Sequence, residues 1–148
     1  METIATLALL HSQHMADRQQ CSCIFDAIGQ DKDSATLQHY MLTFWKNDLQ
    51  KHIDAEDHIL LPFLHLHRFN SSYIHILHRE HDTMRVLAQR LPLLNGNGTS
   101  FCKTFARMID EHTSFEDEVL FQKMEEMIDA RDLVKLEQAM KRETVGME

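Results

Sequence analysis

Two histidine–glutamate pairs with a four-residue spacing are the side chains of this sequence best suited to metal chemistry. His52 precedes Glu56 by four residues, and His112 precedes Glu116 by the same interval. Residues four apart lie above one another on one face of an α-helix, so each pair points an imidazole and a carboxylate in the same direction. One such pair is most often an exposed ion pair of little energetic weight. Two pairs predict a metal site if both face the interior.

Apolar neighbours indicate that both pairs do face the interior. The first pair shares a helical face with Trp45 and Leu49, and the second pair shares one with Phe105 and Ile109. A buried carboxylate is costly unless it is paired with a cation or bound to a metal. Two coincidences of this kind favour a metal site over two unrelated surface pairs.

Two further histidines complete the predicted site. His14 and His81 each follow an apolar residue four positions earlier, Leu10 and Leu77, and each lies on the inward stripe of its helix. Either histidine alone would more often be an ordinary core residue. Together with the two pairs they predict two metal ions held by imidazoles and bridged by carboxylates, a donor set that suits iron, with manganese and zinc as competitors. The predicted metal ligands are His14, His52, Glu56, His81, His112 and Glu116.

Four long helices and a short terminal helix are predicted to position these groups. Apolar residues recur at helical spacing in each stretch, and 4 Gly and 2 Pro are too few for a sheet-rich fold with many turns. The predicted fold class is all-α, an antiparallel up-down-up-down four-helix bundle with a short C-terminal helix. A single domain over residues 1–148 suits the chain length, with the bundle at about 4–128. The predicted helices span about 4–28, 34–64 with Ser34 as N-cap, 73–90, 101–128 with Ser100 as N-cap, and 130–142.

An internal repeat supports the bundle. Residues 11–18 (HSQHMADR) match residues 78–85 (HREHDTMR), and residues 52–64 (HIDAEDHILLPFL) match residues 112–124 (HTSFEDEVLFQKM). The chain therefore reads as one helical hairpin written twice, with a pseudo-two-fold axis through the core. The repeat also relates Arg18 to Arg85 and Asp57 to Asp117. The arginines either support the metal site through these aspartates or close the bundle with exposed ion pairs.

Composition excludes several classes of partner. The formal net charge of -8 argues against nucleic acid and against an anionic membrane surface. No stretch approaches the ~20 apolar residues that span a bilayer, and the N-terminus lacks the features of a signal peptide, so a cytoplasmic protein is expected. Cys21, Cys23 and Cys102 lack zinc-site spacing and are expected to be reduced thiols.

The full pattern resembles the hemerythrin family, whose ligands follow the order H…H-x-x-x-E…H…H-x-x-x-E. The resemblance covers about residues 7–128 and includes the Glu80-His81 pair. A ferritin-like site differs, because it uses Glu-x-x-His at a spacing of three together with lone glutamates. The resemblance implies a four-helix bundle around a μ-oxo- or μ-hydroxo-bridged pair of non-haem iron ions, bound by the six residues given above.

The sequence departs from the oxygen-carrying hemerythrins at one position. Those proteins have a fifth histidine four residues before the third-helix histidine, where this chain has Leu77. His78 lies one residue further on, about 100° away around the helix, and its repeat partner is His11. We interpret His11 and His78 as groups beside the ligands, with metal binding by one of them as the alternative. A four-His, two-Glu set resembles the iron–sulfur-cluster repair and iron-sensing members, which have an open position on each iron.

Two functions are compatible with this site. The first is a non-catalytic di-iron module that binds O2 or nitric oxide, or senses or stores iron. The second is a di-iron redox enzyme, or an iron donor in oxidative or nitrosative stress and in iron–sulfur cluster repair. No flavin or haem motif that would supply electrons occurs in the sequence, which favours the first, and no redox partner is indicated. A metal-free helical interaction module is the third alternative.

Overall fold

The computed structural model describes residues 7–95 and 98–146, and within these ranges the chain is helical and has no strand. The prediction of an all-α chain is confirmed. The predicted start of the first helix at residue 4 lies outside the described residues. No helix in the described ranges combines the length and apolarity needed to cross a bilayer. Within these ranges the four long helices are α1 (Ala8–Gly29), α2 (34–66), α3 (Ser71–Arg90) and α4 (98–127), and a shorter helix, α5 (Ala130–Gly146), follows them.

The N-terminal caps differ from those predicted. Asp33, not Ser34, caps α2, since its carboxylate accepts a hydrogen bond of 2.7 Å from the backbone N–H of Thr36. A short side-chain acceptor at this position satisfies one of the free N–H groups at the start of a helix. Helix α4 begins at Gly98, so Ser100 lies inside its first turn and is not the cap. Both helices therefore start slightly earlier than the apolar pattern predicts.

A π turn follows each His-x-x-x-Glu motif. Residues Glu56–Leu60 of α2 and Glu116–Leu120 of α4 have π geometry, in which the N–H groups of Leu61 and Phe121 bond to the carbonyls five residues earlier. Successive side chains diverge less around a π turn than around an α turn, because each turn holds more residues. The glutamate and the aspartate after it can therefore both face the interior. Helix α2 has a further π turn at Trp45–Leu49.

Two apolar clusters fill the bundle, and the buried polar residues lie between them along every long helix. From N- to C-terminus, α1 and α3 contribute first to the cluster beside α5 and then to the cluster around Trp45, whereas α2 and α4 contribute to them in the reverse order. The first, the α5-side cluster, includes Leu10, Leu60, Leu77, Leu120 and Leu136. The second, the Trp45 cluster, includes Cys21, Trp45, Ile53, Met84 and Ile109. The three cysteines are unpaired.

Helix α5 packs along α2 beside the π turn at Glu56–Leu60, and it also touches the end of α4. It is longer than predicted, reaching Gly146. The Oε2 atom of Glu137 accepts a hydrogen bond of 3.1 Å from the backbone N–H of Leu9 and so holds the first turn of α1. The residues that α5 adds to the α5-side cluster are Leu133, Leu136 and Met140.

Candidate metal centre

Five of the six predicted ligands are buried and converge between the two apolar clusters. The Nε2 atom of His81 lies 2.8 Å from Oε1 of Glu56. The Nε2 atoms of His112 and His14 lie 2.9 and 3.4 Å from Oε1 of Glu116. Each of the four long helices contributes at least one of these side chains. These five side chains, which the sequence places on the inward faces of their helices, thus lie in one layer of the bundle.

Their donor atoms form two groups that share one carboxylate. Glu56, His81 and His112 make the first group, and His14, Glu56 and Glu116 make the second, with the donor atoms of each group within 4.8 Å of one another. Oε1 of Glu56 lies on the side of His81, and its Oε2 lies 3.8 Å from Nε2 of His14. A carboxylate placed in this way can bridge two cations.

Two buried atoms at the centre have no hydrogen-bond partner. They are Nε2 of His112 and Oε2 of Glu116. The same Nε2 is close to Oε1 of Glu116, but the pair lacks the angles of a hydrogen bond. An unsatisfied buried polar atom costs about 1–3 kcal/mol. A cation between the imidazoles and carboxylates would satisfy both atoms, so the residues present fit a metal.

All four imidazoles have a carboxylate on their Nδ1 atom. An Nδ1–H group that donates to a carboxylate fixes the tautomer and ring orientation and leaves the lone pair on Nε2 for a metal. Such partners raise the basicity of the ligand. The four pairs are His14–Asp117 at 2.6 Å, His81–Asp57 at 2.7 Å, His112–Glu80 at 2.7 Å and His52–Asp17 at 3.0 Å.

Two of these carboxylates were missed by the sequence analysis. Asp17 is buried one turn after His14, and a charged residue on an inward stripe was the available signal. Nothing in the sequence around Glu80 indicated its contact with His112 on another helix. The repeat gives no help, because it aligns Asp17 with Met84 and Glu80 with Gln13. The histidines of the two His-x-x-x-Glu motifs, His52 and His112, therefore have carboxylate partners at positions that the repeat does not relate to each other.

His52 is the predicted ligand that the structure leaves outside both groups. Its side chain is 21% exposed, and its Nδ1 atom faces Asp17 of α1. Burial lowers the pKa of His52, but the hydrogen bond and charge of Asp17 and the charge of Glu56 outweigh burial and raise it. His52 therefore lies beside the centre at its solvent edge, and its role as a ligand stays a prediction.

Without a metal, two imidazoles of the centre have pKa values well above neutral pH. Burial disfavours the charged form of His14, but the charge of Glu116 and the hydrogen bond to Asp117 raise its pKa to about 10. Burial acts in the same way on His81, but hydrogen bonds to Asp57 and to the shared glutamate raise its pKa to about 9. Protons and metal ions therefore compete for the same nitrogen atoms.

The two glutamates have opposite pKa shifts. Burial acts to raise the pKa of Glu56, but the neighbouring imidazoles of His112, His14 and His81, the last within hydrogen-bond distance, hold it well below its usual range. Burial and the nearby charge of Glu56 raise the pKa of Glu116 to about 7. Glu56 is thus the permanent anion of the centre, and Glu116 shares its proton with the solvent near neutrality.

The histidines predicted to lie beside the ligands differ from each other. His11 donates to Asp117 at 3.0 Å, the same oxygen that His14 contacts, whereas its repeat partner His78 is exposed. Neither belongs to the two donor groups. The remaining histidines lie away from the centre and are exposed or half-buried: His39, His58, His65, His67 and His75.

Comparison with known families agrees with this site. The family model for the hemerythrin HHE cation-binding domain matches residues 5–124, which include all six predicted ligands and exclude α5. Searches of curated proteins and of solved structures found no match. Since the matched range covers most of the chain, the protein belongs to the hemerythrin HHE cation-binding domain family.

Proposed function

We propose that this protein is a non-haem di-iron protein of hemerythrin type, which binds O2 or nitric oxide, or senses or stores iron, at a carboxylate-bridged centre. The observation that carries the proposal is the position of Glu56 in both donor groups. We also infer an antiparallel up-down-up-down arrangement, supported by the alternating order in which successive helices meet the two apolar clusters. The proposed ligands are His14, His52, Glu56, His81, His112 and Glu116.

The chemistry of the donors favours iron. Imidazole and carboxylate groups suit iron, and manganese or zinc are the competing ions. Two divalent ions would bring four positive charges, and two carboxylates with a bridging hydroxide would neutralise three of them. When bound, an iron pair would supply the electrons that hold a diatomic ligand. The protein contributes the orientation of the imidazoles through their Nδ1 carboxylates and the exclusion of water by the two apolar clusters.

Burial supports a small ligand. His14 is the most exposed of the five converging residues at 5%, so bulky molecules cannot reach the centre directly. The side chain of His52, at 21% exposed, marks the edge at which a ligand of two or three atoms would enter. A ligand held there would remain shielded from bulk water by the surrounding apolar residues.

Metal analysis of anaerobically purified protein, together with its visible spectrum, tests the proposal. We expect about two irons per chain in the wild type, and a sharp loss of iron in Glu56→Ala and in Glu116→Ala, because each removes a central carboxylate. His65→Ala is the matched control, since His65 is exposed, and it should load normally. Wild-type loading in both glutamate variants would refute the bridging role.

Oxygen addition separates a binding protein from a redox enzyme. The iron-loaded protein is reduced without oxygen and then exposed to O2 or nitric oxide while its visible spectrum is followed. A spectrum that persists and is reversed by removing the gas supports binding. Rapid conversion to the diferric form with repeated turnover would support the enzyme, and so contradict a non-catalytic module.

A further inference from the structure

Arg85 and Arg18 occupy equivalent positions in the repeat but have different contacts in the structure. Arg85 of α3 reaches both Asp54, with its Nη2 atom 2.9 Å from Oδ1, and Asp57, with the same nitrogen 2.5 Å from Oδ2. Asp57 is the residue that orients a buried imidazole of the centre. Arg18 of α1, the repeat partner of Arg85, has no such contact with Asp117, the repeat partner of Asp57. One half of the centre is thus tied to an arginine and the other is not.

Arg18 instead bonds within the outer face of α4. Its guanidinium donates to the hydroxyl of Ser114. It lies 3.7 Å from carboxylate oxygens of Asp110 and Glu118, whose side chains are 46% and 69% exposed. Ion pairs this exposed contribute little. This is the second of the two arginine roles considered from the sequence, closure of the bundle by surface contacts.

Arg85 begins a continuous line of contacts into the centre. Asp57 uses one oxygen for Arg85 and the other for Nδ1 of His81, at 2.7 Å, and the opposite ring nitrogen of His81 lies 2.8 Å from Glu56. Since both oxygens of Asp57 are engaged, its carboxylate cannot rotate without breaking a charge-assisted hydrogen bond. Asp54 holds the guanidinium from the other side. The line therefore fixes the direction in which His81 presents its lone pair.

The opposite half of the centre has a different support. Asp117 accepts hydrogen bonds from His14 and His11 through the same oxygen, Oδ1, at 2.6 and 3.0 Å. The imidazole of His11 thus contacts Asp117, whereas the guanidinium of Arg85 contacts Asp57. The two metal positions are therefore held by unequal surroundings, although the ligand pattern in the sequence is symmetric.

We propose that Arg85 is a positioning residue of the metal centre, which acts through Asp57 on His81, and that Arg18 has no corresponding role. The inference rests on the proposed function, because it requires His81 to bind a metal. It predicts that loss of Arg85 lowers the affinity for the cation held by Glu56, His81 and His112 and leaves the affinity at the other metal position nearly unchanged. Removal of a group that orients a metal ligand typically lowers metal affinity by about 10- to 100-fold.

Anaerobic Fe²⁺ titration of metal-free wild type, Arg85→Gln and Arg18→Gln tests the proposal, with a parallel Co²⁺ titration that reports ligand geometry by its visible spectrum. In Arg85→Gln we expect one of the two binding steps to weaken by about 10- to 100-fold and the spectrum of that Co²⁺ ion to change. Arg18→Gln should stay within about twofold of wild type at both steps. Arg85→Lys keeps the charge without the fork and should recover part of the loss.

The possible outcomes separate this inference from the function on which it rests. Two wild-type binding steps, with Arg85→Gln and Arg18→Gln indistinguishable, would overturn the role of Arg85 and leave the di-iron proposal intact. Wild-type protein that binds neither ion would overturn both. Thermal unfolding of the metal-free variants provides a structural control: similar melting temperatures with a selective loss of metal affinity support positioning. Equal loss of affinity at both steps together with a lowered melting temperature would indicate general destabilisation and refute it.

Discussion

Loading the metal-free protein with iron at pH 7 should release protons. His14 and His81 have pKa values of about 10 and about 9, so both imidazoles are protonated at pH 7, and the pKa of His112 is raised in the same direction by its neighbouring carboxylates. A metal binds only the neutral imidazole. Glu116, with a pKa of about 7, holds about half a proton there. We therefore expect about two to three protons to leave per loaded chain from these groups.

The pKa values give the size and direction of the effect on affinity. At pH 7 a metal must first displace a proton from each imidazole, which costs about 1.36 kcal/mol for each pH unit below the pKa. This cost reduces the free energy of metal binding by about 3 kcal/mol at His81 and by about 4 kcal/mol at His14. Affinity must therefore rise with pH, since fewer protons have to be displaced. One protonated imidazole at each metal position, His81 at one and His14 at the other, implies a rise of about 10-fold for each pH unit at each position between about pH 6 and 8, and of about 100-fold for both ions together.

Calorimetric titration with Fe²⁺, in two buffers with different heats of ionisation and without oxygen, measures the number of protons released. The dissociation constants at about pH 6, 7 and 8 give the slope. His65→Ala should release the same number as wild type, because His65 is exposed. Release of less than about one proton, or an affinity independent of pH, would show that the buried imidazoles are neutral. The electrostatic reasoning would then be refuted.

Three further predictions concern stability and the surroundings of the centre. The raised imidazole pKa values stabilise the metal-free protein fully below about pH 6.5, and this contribution is lost as the pH rises through about 9 and 10; melting temperatures that do not fall over that range would contradict it. Glu80→Gln should lower metal affinity by about 10-fold or more, whereas the exposed Glu111→Gln should not; equal affinities in a titration would exclude the support of an imidazole by Glu80. Leu136→Ala should lower the free energy of unfolding by about 2–5 kcal/mol, because Leu136 is buried. The control Val134→Ala, on the exposed side of α5, should lower it by less than about 0.5 kcal/mol. Equal losses in denaturant unfolding would argue against the packing of α5 on the bundle.

The convergence of five side chains was predictable because helical periodicity determines direction within a single helix. A spacing of four puts His112 and Glu116 on one face, and apolar neighbours show that the face is buried. The repeat then relates the two halves of the chain. The same reasoning predicts His52 as a ligand, and this stays a prediction because His52 lies outside both donor groups; its Nδ1 atom contacts Asp17 of α1, a contact between helices that no spacing along the chain encodes.

The supporting carboxylates were harder to predict for the same reason. Each approaches an imidazole from a different helix, so its role depends on how neighbouring helices are rotated and shifted against one another. Asp17 and Glu80 also break the repeat, which removed the symmetry argument. The π turns carry no propensity signal, since ordinary helix-forming residues occupy them, and they became visible only in the backbone hydrogen bonds.

The π turns limit how the length of this chain can change. Each behaves as an α-helix with one residue inserted, and the register on either side is matched to its presence. Deletion of a single residue within 57–61 would return the segment to α geometry and rotate everything before it by about 100° relative to everything after it. Leu60 could then no longer share the core with its neighbours while Glu56 faces the other ligands. Homologues of this chain are therefore expected to gain and lose residues in the connections between helices, and to conserve spacing within these two turns.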